Sequence, residues 1–125
     1  MDPYTAKSID DMTAINDGIT ILAGAELGVE AFGMQVFDFP PNFGDYPEHD
    51  HAEEGMEEVY LVLRGSVEFE VDGERAALEP GGMISIAPAS RRKLRPGSEG
   101  VRILALGGVP GGRYQRPEGL DLPRP

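Results

Sequence analysis

The segment His49-Asp50-His51, followed by Glu58-Val59-Tyr60-Leu61-Val62-Leu63-Arg64-Gly65-Ser66-Val67-Glu68-Phe69-Glu70-Val71-Asp72-Gly73, carries a strand pattern and a ligand pattern together. Val59 to Leu63 is β-branched and apolar, stops at Arg64-Gly65, and resumes as Ser66 to Val71 with strict apolar and polar alternation, the signature of a strand with one buried and one wet face. Asp72-Gly73 supplies the pair that a tight type I′ hairpin needs, because both central residues take positive φ. Glu74 to Leu78 is then expected to return antiparallel. Pro80-Gly81-Gly82 makes a turn, Met83 to Ala87 a further short strand closed by Pro88, and Val101 to Leu106 a last one stopped by Gly107-Gly108. Upstream, the only two histidines of the chain sit at positions 49 and 51. Alternation on an extended chain sends both imidazoles to the same side, where two ring nitrogens can grip one divalent cation. A carboxylate from the neighbouring strand, where Glu58 lies, would complete a set suited to manganese, iron, nickel or zinc.

With these residues the chain resembles the cupins, a superfamily of small β-barrels whose first motif runs Gly-x5-His-x-His-x3-4-Glu-x6-Gly. Gly44, His49-x-His51, Glu58 and Gly65 match it with a shorter gap before His49 and a longer one before Glu58, and adding two residues to the latter preserves strand parity. The second motif, Gly-x5-Pro-x-Gly-x2-His-x3-Asn, is present only as a frame: Gly82, Pro88-Ala89-Ser90, Lys93 and Gly97 replace its inner Gly, His and Asn. The resemblance covers about residues 30–108. It implies an all-β fold, a jelly-roll-like antiparallel barrel, and association as a homodimer, for which the apolar stretch near Phe37 and Phe39 offers a sheet edge.

In that frame Lys93 stands where the fourth metal ligand would be, and an ammonium repels a cation. Three arrangements follow. A metal sits on His49, His51 and Glu58 with water in the open positions; or Lys93 is itself the central cation and pairs with Glu58; or a register slip turns Leu94 inward and Arg91, Lys93 and Arg95 outward, Ser90 in place of Gly having altered the turn.

Composition fits one domain over residues 1–125, with a barrel core at about 30–108 and an irregular tail over 109–125. The 17 glycines and 11 prolines suit short strands joined by frequent turns. The absence of cysteine excludes disulfides, thiol catalysis and thiolate metal sites. A net charge of −11 argues against nucleic acid, which needs a basic face. Neither a basic start with an apolar run nor a membrane-length apolar stretch is present, so no membrane association and a cytoplasmic location are expected. Acidic residues crowd the stretch from Asp45 to Glu58, and basic ones the stretch Arg91, Arg92, Lys93 and Arg95; each reads either as a solvated loop or as half of a mutual neutralisation at the barrel mouth.

At the N-terminus, Ser8 with Asp10 and Asp11 ahead of Met12 and Ile15 predicts a short helix, Ile19 to Ala25 an edge strand, and Phe32 to Phe39 a strand entering the barrel before Pro40-Pro41. Pro110-Gly111-Gly112-Arg113-Tyr114 lacks the context of a phosphate loop and reads as a turn, and the end from Leu120 to Pro125 is expected to be loosely held.

Three functions of different kinds remain open. The first is a small-molecule-binding protein whose pocket is lined by His49, His51, Glu58, Tyr60 and one or more of Arg91, Lys93 and Arg95, a basic wall for an anionic ligand. The second is a metal-dependent oxygenase or isomerase, and the third a structural or regulatory dimer module without chemistry. The missing fourth ligand favours binding narrowly over catalysis.

Overall fold

The hairpin at Asp72-Gly73 forms with both residues at positive φ, 50° and 84°, and with Val71 opposite Glu74. The computed structural model to which it belongs describes residues 2–123. Seven antiparallel strands make one sheet: β1 (Ala14–Ile15), β2 (Thr20–Ile21), β3 (Gly33–Phe39), β4 (Glu57–Val71), β5 (Glu74–Leu78), β6 (Met83–Ile86) and β7 (Arg92–Gly108). Their order is β1-β2-β3-β7-β4-β5, and β6 pairs with β4. The result is an all-β fold with little helix.

Two long strands organise it. The first part of β4, from Glu58 to Leu61, pairs with β6 on one side and with the end of β7 on the other; its second part, from Val67 to Val71, pairs with β5 and with the start of β7. Between these parts the register of β4 against β7 shifts twice, between Val62 and Arg64 and between Gly65 and Val67. Such bulges bend and twist a pair of strands together. Both halves therefore face one core, in which Tyr60, Val62, Ile103 and Ala105 of the first meet Val67, Phe69 and Leu94 of the second. Phe69 and Ile103 are fully buried, and burying each such side chain contributes about 1.5–3 kcal/mol.

The bend depends on Gly65. Its φ is +80°, and a Cβ there would lie 2.1 Å from the carbonyl oxygen of Gly100 on the facing strand. Both features exclude a side chain.

The N-terminal elements differ from their expected form. The predicted helix is a single 3-10 turn, Ile9–Asp11, and the Ser8 side chain makes no capping bond; the chain extends again at Met12 so that Ala14 and Ile15 can pair with β2. The stretch expected as an edge strand, Ile19 to Ala25, splits into β2 and the helix α1 (Ala23–Leu27), which ends on Gly28 at φ 75°. Gly24 lets this helix lie on β3, since a Cβ there would meet the Met34 carbonyl at 2.9 Å. Phe37 is not an edge residue, being paired on both sides, and Phe39 pairs with Val101 of β7. Both lie on β3, whose neighbours are β2 and β7, with Phe39 in the core and Phe37 packed against it. The last strand is also longer than expected, starting at Arg92 instead of Val101.

Glu26 of α1 fastens the N-terminal segment, accepting from the Thr13 amide at 2.8 Å and hydroxyl at 2.7 Å and pairing with Lys7. The tail crosses back over the sheet: Arg116 donates to the Val29 carbonyl and pairs with Asp121, and one 3-10 turn spans Glu118–Leu120. Arg124 and Pro125, part of the end expected to be loosely held, lie outside the described residues. Among the described residues no helix is long and apolar enough to cross a membrane.

Two predictions follow from this construction. Gly65→Ala is expected to cost at least about 1–2 kcal/mol through its backbone conformation alone, read as a lower urea midpoint at unchanged slope; an unaltered midpoint would show that the bend tolerates a side chain. Glu26 is held down to about 2 from an ordinary 4.5, mainly by its bond to Lys7 and then by those to Thr13. Its contribution is thus complete above pH 4.5 and disappears as pH falls through about 2. The melting temperature of Glu26→Gln should lie below that of the wild type at pH 6, with the gap closing towards pH 2; a gap independent of pH would contradict the assignment.

Candidate metal centre and cavity

Strand parity places Glu58. On β4 the side chains of Glu58, Tyr60 and Val62 share the inner face, whereas Glu57 is exposed. The longer gap between His51 and Glu58 is taken up by a turn over residues 52–55, closed by the Gly55 amide on the His51 carbonyl at 2.9 Å. The histidines are not on a strand. They are held instead by backbone bonds to the chain opposite: His49 exchanges two with Arg92, at 3.0 and 2.8 Å, and the His51 amide donates to Pro88 at 2.8 Å. Both rings nevertheless face the same space, centroids 5.0 Å apart and nearly perpendicular.

His49, His51 and Glu58 each offer a ligand atom, all within 4.8 Å of one another. The surroundings set the tautomer of His49. A carbonyl only accepts, so His49 Nδ1, 3.0 Å from the Pro47 oxygen, carries the proton and Nε2 of the neutral ring keeps its lone pair. His51 Nδ1 stands 3.2 Å from Glu54 Oε1, with Nε2 3.2 Å from Glu58 Oε1. An acceptor on one ring nitrogen is the usual support of a metal-binding histidine, and both rings have one. The donor set fits a divalent transition metal.

The central cation, however, is not Lys93 but its neighbour in the basic run, and its pairing with Glu58 is an instance of the mutual neutralisation read from the acidic and basic stretches. It is Arg92, whose side chain is 0% exposed. Its Nη1 donates to Glu58 Oε1 at 2.6 Å, Nε to the Ser90 carbonyl at 3.1 Å and Nη2 to the Ala87 carbonyl at 2.7 Å. Tyr60 donates to the same Glu58 oxygen at 2.7 Å. Burial raises the Tyr60 hydroxyl well above its ordinary value and the Tyr46 hydroxyl, bonded to it, to about 12. Both phenols remain protonated donors at neutral pH.

The expected basic wall is corrected by register. β7 pairs Arg92 with Val71, Leu94 with Phe69 and Pro96 with Val67, so these residues share the core face and Lys93 and Arg95 take the other. Lys93 there meets Glu70 at 3.1 Å, Arg95 approaches Glu68 and Glu70 at 3.6 Å, and Arg91 approaches Glu48 and Asp50 at 3.6 Å. None of the three lines the cavity. This is the third of the sequence-based arrangements. The signal was Leu94, the one large apolar residue of its run: if it faces the core, Arg92 must do so too.

A cavity of about 510 Å³ opens above the donors. Its lining includes Gln35, Phe37, Tyr46, Tyr60, Ala105 and Leu106. The rim belongs to the tail, through Arg113, Tyr114, Gln115, Pro117 and Leu120. Tyr114 lies over Gly33, where a Cβ would approach its hydroxyl to 2.9 Å, and burial raises its hydroxyl above the ordinary value while Gln35 bonds to it.

Comparison with known proteins agrees with this architecture. A profile of the Cupin domain matches residues 35–107, more than half of the chain, and the protein belongs to that family. No match was found among curated proteins. Among solved structures, a cupin protein from Bacteroides fragilis is 19% identical with a TM-score of 0.67, covering 94% of this chain and 93% of its own. A sugar phosphate isomerase of the cupin superfamily from Silicibacter pomeroyi is 17% identical with a TM-score of 0.69, covering 83% of this chain and 75% of its own. The cupin domain of Schizosaccharomyces pombe Cnp3 is 16% identical with a TM-score of 0.58 over 63% of this chain, which spans 53% of that domain's length. At these identities the likeness is one of fold.

Arg92 and Lys93 should respond oppositely to truncation. Arg92→Ala removes one partner of a buried pair and is expected to cost about 3–5 kcal/mol, whereas Lys93→Ala, on the wet face, should cost about 0–1 kcal/mol. Equal losses in urea titrations would refute the placement of the two residues.

Proposed function

We propose that this protein is a small-molecule-binding cupin in which His49, His51 and Glu58 hold a divalent transition metal, manganese, iron, nickel or zinc, at the inner end of the cavity. The observation that carries the reading is the pair of histidines, each with Nδ1 facing an acceptor, Pro47 or Glu54, beside the Glu58 carboxylate. When bound, the metal supplies Lewis acidity toward a ligand oxygen. The chain supplies the rest. Arg92 and Tyr60 fix the Glu58 carboxylate by hydrogen bonds, Phe37 and Tyr46 offer apolar surface to a ligand, and Gln35 and Tyr114 offer polar groups above it.

Binding is favoured over proton-transfer catalysis by the same contacts. Burial keeps Tyr46 and Tyr60 protonated, which removes both phenols from service as a base, while Arg92 and Tyr60, bonded to Oε1, hold the Glu58 carboxylate in a fixed orientation. The similarity to a sugar phosphate isomerase supports a hydroxyl-rich ligand as the first class to screen.

Untagged protein is expected to lose thermal stability in EDTA and to recover it with one of the four metals, by about 2.7 kcal/mol at a hundredfold excess over Kd. His49→Ala should abolish the response. It is a cleaner variant than Glu58→Ala, which also strips Arg92 of its partner. A wild type indifferent to EDTA and to every metal would defeat the reading and favour a module without a metal.

A further inference from the structure

The cavity contains a cation that neither strand pattern nor motif indicated. Arg113 lies at its rim, exposed to solvent and paired with no acid among the described residues, whereas Arg116 of the same tail is tied to Val29 and Asp121. The tail is therefore anchored by one arginine and leaves the other free over the opening. Tyr114, next in the chain, fixes the crossing point by packing over Gly33.

Two acids line the cavity among the described residues, and one of them is neutralised within the chain. Arg92 neutralises Glu58 from behind, and Glu54 is engaged with His51. A divalent metal on the inner donors then leaves the cavity positive at its inner end, with a guanidinium at its outer end. A ligand that fills such a space gains from negative charge, most of all from a planar or tetrahedral oxyanion that a guanidinium can bond twice.

We propose that Arg113 recognises an anionic group, a carboxylate or a phosphate, on the ligand bound in this cavity. The proposal rests on the metal-bearing cavity described under Proposed function. The C-terminal tail thus determines ligand specificity from outside the barrel.

The test uses untagged, manganese-loaded protein and three acyclic six-carbon probes, glucitol, gluconate and glucitol 6-phosphate, in titration calorimetry at fixed ionic strength. One or both anions are expected to bind about tenfold more tightly than glucitol, and Arg113→Ala to bring them to within roughly twofold of it, with Arg113→Lys keeping part of the preference. Which anion gains identifies the carboxylate or the phosphate. Failure of both anions to exceed glucitol, or a preference that survives Arg113→Ala, overturns the proposal. Manganese uptake is measured separately and should be the same in Arg113→Ala. A wild type that takes up no manganese is loaded with iron, nickel or zinc instead; failure with all four defeats the metal site alone, and the three probes on metal-free protein then decide Arg113 by the same criteria.

Discussion

The ion pair of Arg92 with Glu58 is the interaction on which the rest of the site depends. A guanidinium with no exposure to water is strongly penalised unless its nitrogens are bonded, and here the carboxylate and two carbonyls give each of the three a partner. Those carbonyls belong to Ala87 and Ser90, so the side chain also holds the turn between β6 and β7 from within. The backbone of the same residue pairs with His49. One residue thus joins the carboxylate on β4, the turn before β7 and the loop that carries the histidines.

Much of the fold was legible because strand alternation and turn chemistry agree over the central segment. Val67, Phe69 and Val71 against Glu68 and Glu70, then Asp72-Gly73, leave one reading, and β4, the hairpin and β5 follow it. The inward face of Glu58 was legible by the same parity. The short N-terminal elements were not, since strands of two residues and a five-residue helix are set by what they pack on, not by their own pattern.

The identity of the buried cation shows where motif spacing and parity part company. Counting from Pro88 in the family frame arrives at Lys93, while alternation from Leu94 arrives at Arg92. The chain resolves the conflict energetically. Turning Lys93 inward would expose Leu94 and take Lys93 and Arg95 away from Glu68 and Glu70, whereas the observed register buries Leu94 opposite Phe69 and sets both cations against those acids. Arginine also suits the inner position better than lysine, because its fixed fork reaches three acceptors at once. The contribution of the tail was illegible for another reason: nothing periodic marks residues 109–120, and their place over the cavity comes from single contacts at Gly33, Val29 and Asp121.

A carboxylate so heavily engaged can still serve a metal because its two oxygens are differently used. Arg92 and Tyr60 both bond to Oε1, and His51 Nε2 lies 3.2 Å from it. An ionised carboxylate offers about four lone-pair directions over its two oxygens, so the bonds that fix its orientation do not exhaust it. The same contacts make it a weaker donor, since a guanidinium at 2.6 Å withdraws charge that a fourth neutral ligand would have left in place. With Arg92 and Tyr60 bonded to Oε1, the carboxylate is held in place by the chain itself. The bonds of Arg92 to the Ala87 and Ser90 carbonyls extend the same hold to the turn at the back of the carboxylate, so its position is set by contacts within the chain.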